Sequence, residues 1–206
     1  MTTTPATNRI AGVMIGLVLV IFSVSTYWAI SDSPDTLEST KPTEPPTGHY
    51  VPDEVRRLVS FVDSARADSA TRHDHEFAAT GVRYVAAALG VVASSSGLNI
   101  DPELEAIREQ ATAIQRDPLR RERAAHARLA FATLAALLEA VQQARFQGLE
   151  PDVANVSRAA WSLRVDRPLR DQAEVMEEFF NRASSAIGAM NDAASSLPAA
   201  PPMATA

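Results

Sequence analysis

The sequence predicts an all-α fold: three αα-hairpin repeats of 49 residues each, forming a six-helix bundle or a short solenoid, preceded by one N-terminal transmembrane helix. Three observations predict it. Asp68, Asp117 and Asp166 stand 49 residues apart, and the same apolar pattern surrounds each. Upstream lie quartets spaced 3, 4, 3: Val55/Leu58/Val62/Ala65, Leu104/Ile107/Ala111/Ile114 and Val153/Val156/Ala160/Leu163. Downstream, at +9, +14, +17, +21 and +24, stand Phe77/Val82/Val85/Leu89/Val92, His126/Phe131/Leu134/Leu138/Val141 and Val175/Phe180/Ala183/Ile187/Met190. Of these 27 positions 26 are apolar, His126 being the exception. The second observation is that every copy opens on proline and an acid: Pro52-Asp53, Pro102-Glu103 and Pro151-Asp152. The third is an uncharged, mostly apolar run of 21 residues at 10–30.

Residues 1–9 read as a cytoplasmic N-terminus, with Arg9 beside the apolar run and Asp32, Asp35 and Glu38 beyond it. At 1.5 Å per residue the run is about 31 Å long, the thickness of a hydrocarbon core. Tyr27 and Trp28 fall where an aromatic belt would lie. Ser23-x-Ser25 and Ala29-x-Ser31 would each suit signal cleavage, but the run exceeds the usual 7–15 residues of a signal h-region, which favours an uncleaved anchor. Either reading places the rest of the chain outside the cytoplasm. The expected location is the cell membrane, single pass, with a periplasmic C-terminal domain.

Residues 31–51, rich in Pro, Ser, Thr and acids, read as a linker too polar to bury a core. The helical repeat domain spans 52–196, divided 52–100, 101–150 and 151–196, and residues 197–206 read as a disordered tail. Within each repeat the quartet is the stripe of a short helix, since residues three and four apart share one face. Pro102 and Pro151 suit a first helical turn, where a missing N–H is no loss. Asp117-Pro118 reads as an N-cap with proline at N1, and Asp166 precedes Pro168 by two. Polar stretches at Thr71–Glu76, Arg120–Arg123 and Arg170–Gln172 come before the stripe of each long helix. Gly97 and Gly148 are placed to end the first two long helices.

The chain contains no cysteine, which excludes disulfides, thiolate metal sites and a cysteine nucleophile. Its formal charge of −6 argues against nucleic acid as a partner. No nucleophile–base–acid set and no glycine-rich phosphate loop is visible. Ser94-Ser95-Ser96-Gly97 closes a helix and lacks the strand–turn–helix context of a nucleophile elbow. The expectation is a chain that is not an enzyme and takes no cofactor.

Two arrangements are candidate sites. His73 and His75, with His49 as a third nitrogen, are the one local set resembling metal ligands. Imidazoles two apart share a metal only if the segment is a loop or a frayed turn, and a transition metal wants three or four converging ligands. Arg120, Arg121, Arg123, Arg167 and Arg170 lie in the joints outside the apolar stripes and form the expected partner surface, unless they are simply solvated and paired with nearby acids. His126, in a core position, reads as a half-buried histidine with one hydrogen-bond partner.

The string Ala111-Thr-Ala-Ile114, Asp117, Arg121-Glu-Arg123, Leu129-Ala-Phe131-Ala-Thr-Leu134, Leu137-Leu138 resembles an exported helical domain of unknown function, found beside or fused to membrane-fusion proteins of bacterial heavy-metal efflux systems. The resemblance covers about 40 residues, and that domain's cysteine- and methionine-bearing metal motif has no counterpart here, so no site residue carries over. The expected function is a membrane-anchored extracytoplasmic scaffold or protein-interaction domain, tethered by its N-terminal helix close to a membrane-proximal protein partner. The alternative is an exported metal- or ligand-handling accessory or sensor.

Overall fold

The computed structural model describes residues 51–67, 75–117 and 120–196. The expected membrane span, nearly all of the linker, the tail and His73 lie outside the described residues, as do 118 and 119. Among the described residues there is no strand. The elements are α1 Asp53–Ala67, α2 His75–Ser95, α3 Asp101–Arg116, α4 Arg120–Arg145, α5 Glu150–Ser162 and α6 Ala173–Ser196, with a 3₁₀ turn at Leu169–Gln172 before α6.

Local chemistry explains where the helices start and stop. Acids occupy the first turns of α1, α3 and α5 (Asp53 and Glu54; Asp101 and Glu103; Glu150 and Asp152), where they face the positive end of the helix dipole. Proline sits in the first turn of both α3 and α5. Helix α2 ends in a Schellman motif: Leu98 N–H reaches the Ala93 carbonyl at 2.9 Å and Gly97 N–H the Ser94 carbonyl at 3.0 Å. The motif needs a left-handed residue at Gly97, whose φ is +75°. Leu98 then packs against the core.

At three boundaries the structure departs from the sequence reading or adds to it. Asp117 is the C-cap of α3, in an extended conformation with its N–H on the Ala113 carbonyl at 2.9 Å. Its expected role at the start of α4 involves residues 118 and 119, outside the described residues. In the third unit the short helix stops at Ser162, and the segment from Leu163 to Pro168 is neither α nor 3₁₀. The Asp166-x-Pro168 signal therefore opens a 3₁₀ turn rather than α6 itself. Gly148 (φ +99°) lies three residues beyond the end of α4, because Phe146 is buried and turns the chain inward first.

The packing closes on itself. Each short helix lies against two long ones: α1 against α2 and α6, α3 against α2 and α4, α5 against α4 and α6. The three long helices also meet one another, so the first helix seals against the last and the body is a closed bundle rather than an open solenoid. Of the 27 stripe positions 25 are buried, His126 and Val175 being half-buried, which places one continuous core inside the ring. Helix α2 and residues 122–145 of α4 are long and apolar enough to cross a membrane by composition, yet 61% and 50% of their apolar windows are buried inside this body.

Phe180 of α6 is the hub of that core. Its ring meets Phe61, Phe77, Phe131 and Phe179 at centroid distances of 5.6, 5.4, 5.2 and 5.5 Å, tying α1, α2, α4 and α6 together. The ring lies directly over Gly81 of α2, where a built Cβ would stand 2.3 Å from its Cζ. Here glycine is required by close approach, not by backbone angle.

Glu150 supports the turn that leads into α5. Its Oε1 accepts the Gly148 N–H at 3.1 Å, and this backbone bond holds its carboxyl below the ordinary glutamate value. A lowered acid contributes stability that is present above the ordinary carboxylate range and lost as pH falls through the folded value. Glu150→Gln is accordingly expected to lower the denaturation midpoint slightly at neutral pH. The gap from the parent should close in acid, as equilibrium unfolding at several pH values would show; a pH-independent gap contradicts this assignment.

Candidate functional site

The ends of the short helices and the starts of the long ones gather at one end of the bundle, because packed neighbours joined by short segments run antiparallel. Cross-helix bonds confirm the pairing of short-helix ends with long-helix starts. Arg66 donates to Asn181 Oδ1 at 2.6 Å, Arg83 to Gln115 Oε1 at 2.9 Å and Arg128 to the Trp161 carbonyl at 3.2 Å. At the other end Glu54, Ser94, Asp101 and Leu104 share one groove, and Glu139, Gln142, Glu150 and Val153 share another. Both Val51 and Ser196, the ends of the described body, belong to that second, acidic end.

The arginines expected as a partner surface occupy the joint end but differ in what they do. Arg120 and Arg121 lie in the first turn of α4, with side chains outside the described set. Arg123 is half-buried and its Nε donates to the Asp117 carbonyl, so it caps α3. Arg167 and Arg170 are exposed, Arg170 standing 3.4 Å from Asp171. Arg164 grips Asp166 through two bonds of 3.0 and 2.7 Å; this raises the Arg164 pKa and lowers that of Asp166. At full exposure such a pair adds little to stability and chiefly shapes the local field.

The third joint, residues 163–172, is built around a buried polar side chain. Gln172 is 5% exposed. Its Oε1 accepts the Arg164 N–H at 2.7 Å, and its Nε2 donates to the Arg164 and Arg167 carbonyls at 2.8 and 2.9 Å. Leu163 and Leu169 are buried beneath it. Arg128 of α4 reaches across to the carbonyls of Trp161 and Leu163 while its guanidinium carbon lies 4.4 Å from the centroid of the Trp161 ring. Burial lowers the Arg128 pKa, but a guanidinium starts so high that it stays charged. The result is a stiff loop that leaves Trp161 56% and Val165 47% exposed.

His126 is half-buried, with Nδ1 3.1 Å from Gln110 Oε1 and Nε2 3.5 Å from an Asp117 carboxylate oxygen. It ties α4 to the end of α3 on both sides of its ring. His75 is the first residue of α2, while His73 and His49 lie outside the described residues, so the structure neither joins nor separates that set. Among the described residues, no group of three or more His, Cys, Asp and Glu side chains is placed to hold a metal ion.

Two residues that define this end were not singled out by sequence reasoning. Trp161 follows Ala160 of the buried quartet and is rotated off its stripe by one helical step, so a large aromatic at a solvent-facing position was the available signal. Gln172 had none, since it reads as the end of a polar stretch. Compared with known protein families, characterised proteins and solved structures, the chain matches none.

Proposed function

We propose that the chain is a membrane-anchored extracytoplasmic scaffold, a protein-interaction module built by threefold repetition of one helical hairpin and carried on an N-terminal transmembrane helix. The repeat reading is supported by the ring of short helices set between long ones, and by Phe131 and Phe180. These two residues, related by the 49-residue shift, meet edge-on at 5.2 Å. The anchor rests on the uncharged run at 10–30.

The observation that carries the interaction reading is the polarity of the body. The arginine-bearing joints lie at the end opposite to the one where residue 51 leads back toward the anchor. A linker of 21 residues has a flexible reach on the order of 25 Å, which confines the module to a layer beside the bilayer and raises its effective concentration toward any neighbour there.

The test is reversal of charge. Replacing Arg120, Arg121, Arg167 and Arg170 by glutamate, with Arg123 left to cap α3, is expected to abolish recovery of a specific neighbour in membrane crosslinking read by mass spectrometry. Helicity by circular dichroism should stay unchanged. Since the native chain has no cysteine, a single Ser195→Cys substitution reports topology. It should react with an impermeant maleimide added to spheroplasts whose inner membrane is intact. Undiminished crosslinking in the reversed protein, or a thiol that reacts only after lysis, would contradict the proposal.

A further inference from the structure

We infer that the stiff third joint is a docking site for an acidic polypeptide segment of a partner protein, one that seats an apolar side chain against Trp161. The inference rests on the scaffold reading and gives it a point of contact. Four large apolar side chains are exposed among the described residues: Val59, Leu129, Trp161 and Val165. Two of them stand four residues apart at one corner, Trp161 at the end of α5 and Val165 in the third joint, where Arg128 lies over the Trp161 ring. Tryptophan and arginine are the side chains that most often dominate binding energy. This pair is held ready before any partner arrives: Arg128 is fixed by two backbone carbonyls, and the loop by the buried Gln172. Little conformational freedom is left to lose on binding.

Charge selects the occupant. Arg158, Arg164, Arg167 and Arg170 flank Trp161 and Val165 and are all exposed, against only Asp166 and Asp171 within the same stretch. The excess is positive on a chain whose total charge is −6, so an acidic segment is drawn to this corner and repelled from the opposite end. An anionic bilayer fits less well. Asp166, Asp171 and Glu174 break the basic surface into patches, which a single extended segment can follow and a continuous anionic plane cannot. A second copy fits less well too, since its acidic end offers no exposed large apolar side chain among the described residues to meet Trp161.

The test uses the full chain in its native membrane, with a benzophenone amino acid at Val165 and, as a control, at Val59. The expected result is an adduct at Val165, absent at Val59, that maps by peptide sequencing to one acidic segment of one other protein. A synthetic peptide of that segment should then bind the full chain in detergent, by anisotropy. Trp161→Ala should weaken this binding at least tenfold, Trp161→Phe much less, and Arg164→Glu/Arg167→Glu should weaken it and flatten its salt dependence. Helicity and Tm should stay unchanged, since Trp161 lies outside the core. Adducts to lipid, to a second copy or to residues 31–50 of the same chain overturn the inference, as does equal labelling at Val59 or peptide affinity indifferent to Trp161. A partner captured by a probe at position 120 but not at 165 sinks this inference and leaves the scaffold reading standing. Capture at neither position sinks both.

Discussion

Phe180→Ala is expected to lower the free energy of unfolding by about 3–5 kcal/mol, the range for removing a fully buried aromatic ring. That corresponds to a fall in Tm of roughly 10 °C for a body of this size. The ring is 1% exposed and touches three rings on three other helices and a fourth on its own, so the cavity left behind has no neighbour free to collapse into it. Its counterpart is Gly81. Helix propensity alone favours alanine there by about 1 kcal/mol. The added methyl would nevertheless stand 2.3–2.6 Å from three atoms of the Phe180 ring, and that ring is itself hemmed in. Steric cost wins, and Gly81→Ala destabilises. Combining it with Phe180→Leu should cost less than the two single changes together, because both act on one contact. Urea unfolding of the four proteins decides this; strictly additive effects would mean that Gly81 and Phe180 do not share a contact.

The second large effect is expected at Gln172. Replacing it by leucine keeps the volume and removes every bond that organises the third joint. The Arg164 N–H and the Arg164 and Arg167 carbonyls lose their partner in a place of little solvent. Unsatisfied groups cost about 1–3 kcal/mol each, but a loop can let some of them reach water, so a net loss of about 2–4 kcal/mol is expected. Gln172→Glu should be as damaging, since a carboxylate cannot donate to the carbonyls that the amide now serves. Amide exchange at Arg164 is the local readout: it should accelerate strongly in Gln172→Leu, which removes the acceptor, and less in Gln172→Glu, whose carboxylate still accepts this N–H, while amides in α2 change only as global stability does. An unchanged rate at Arg164 would show that the loop is held by its apolar residues alone.

What the sequence made legible is what repeats locally. The quartets and the downstream stripes are periodic, and period alone places Val55, Ile107 or Leu134 inside a helix-packed core without knowledge of the partner helix. Pro102 and Pro151 marked true helix starts for an equally local reason. Closure was not legible, because sealing α1 against α6 uses the same stripes that stacking in a line would use. Nor was the detail of the third joint. Asp166-x-Pro168 looks like a helix start in one dimension, whereas the outcome turns on Gln172 reaching back eight residues to Arg164. The candidate site divides along the same line. The exposed arginines could be read from their place outside the stripes. The pinning of Trp161 by Arg128, 33 residues away, depends on which helices become neighbours.

Closure of the ring has a further consequence, for how the body comes apart. In a linear array the outermost unit touches one neighbour and can peel away while the others persist. Here every short helix is wedged between two long ones, including the first and the last, so there is no outermost unit to fray. Withdrawing any one hairpin strips apolar surface from both adjacent hairpins at once. Partial melting would thus expose apolar surface on two sides at once, and the body is expected to unfold as one cooperative unit, as coincident transitions by two probes would show. That leaves few half-open forms with sticky surfaces to pair with a wrong neighbour.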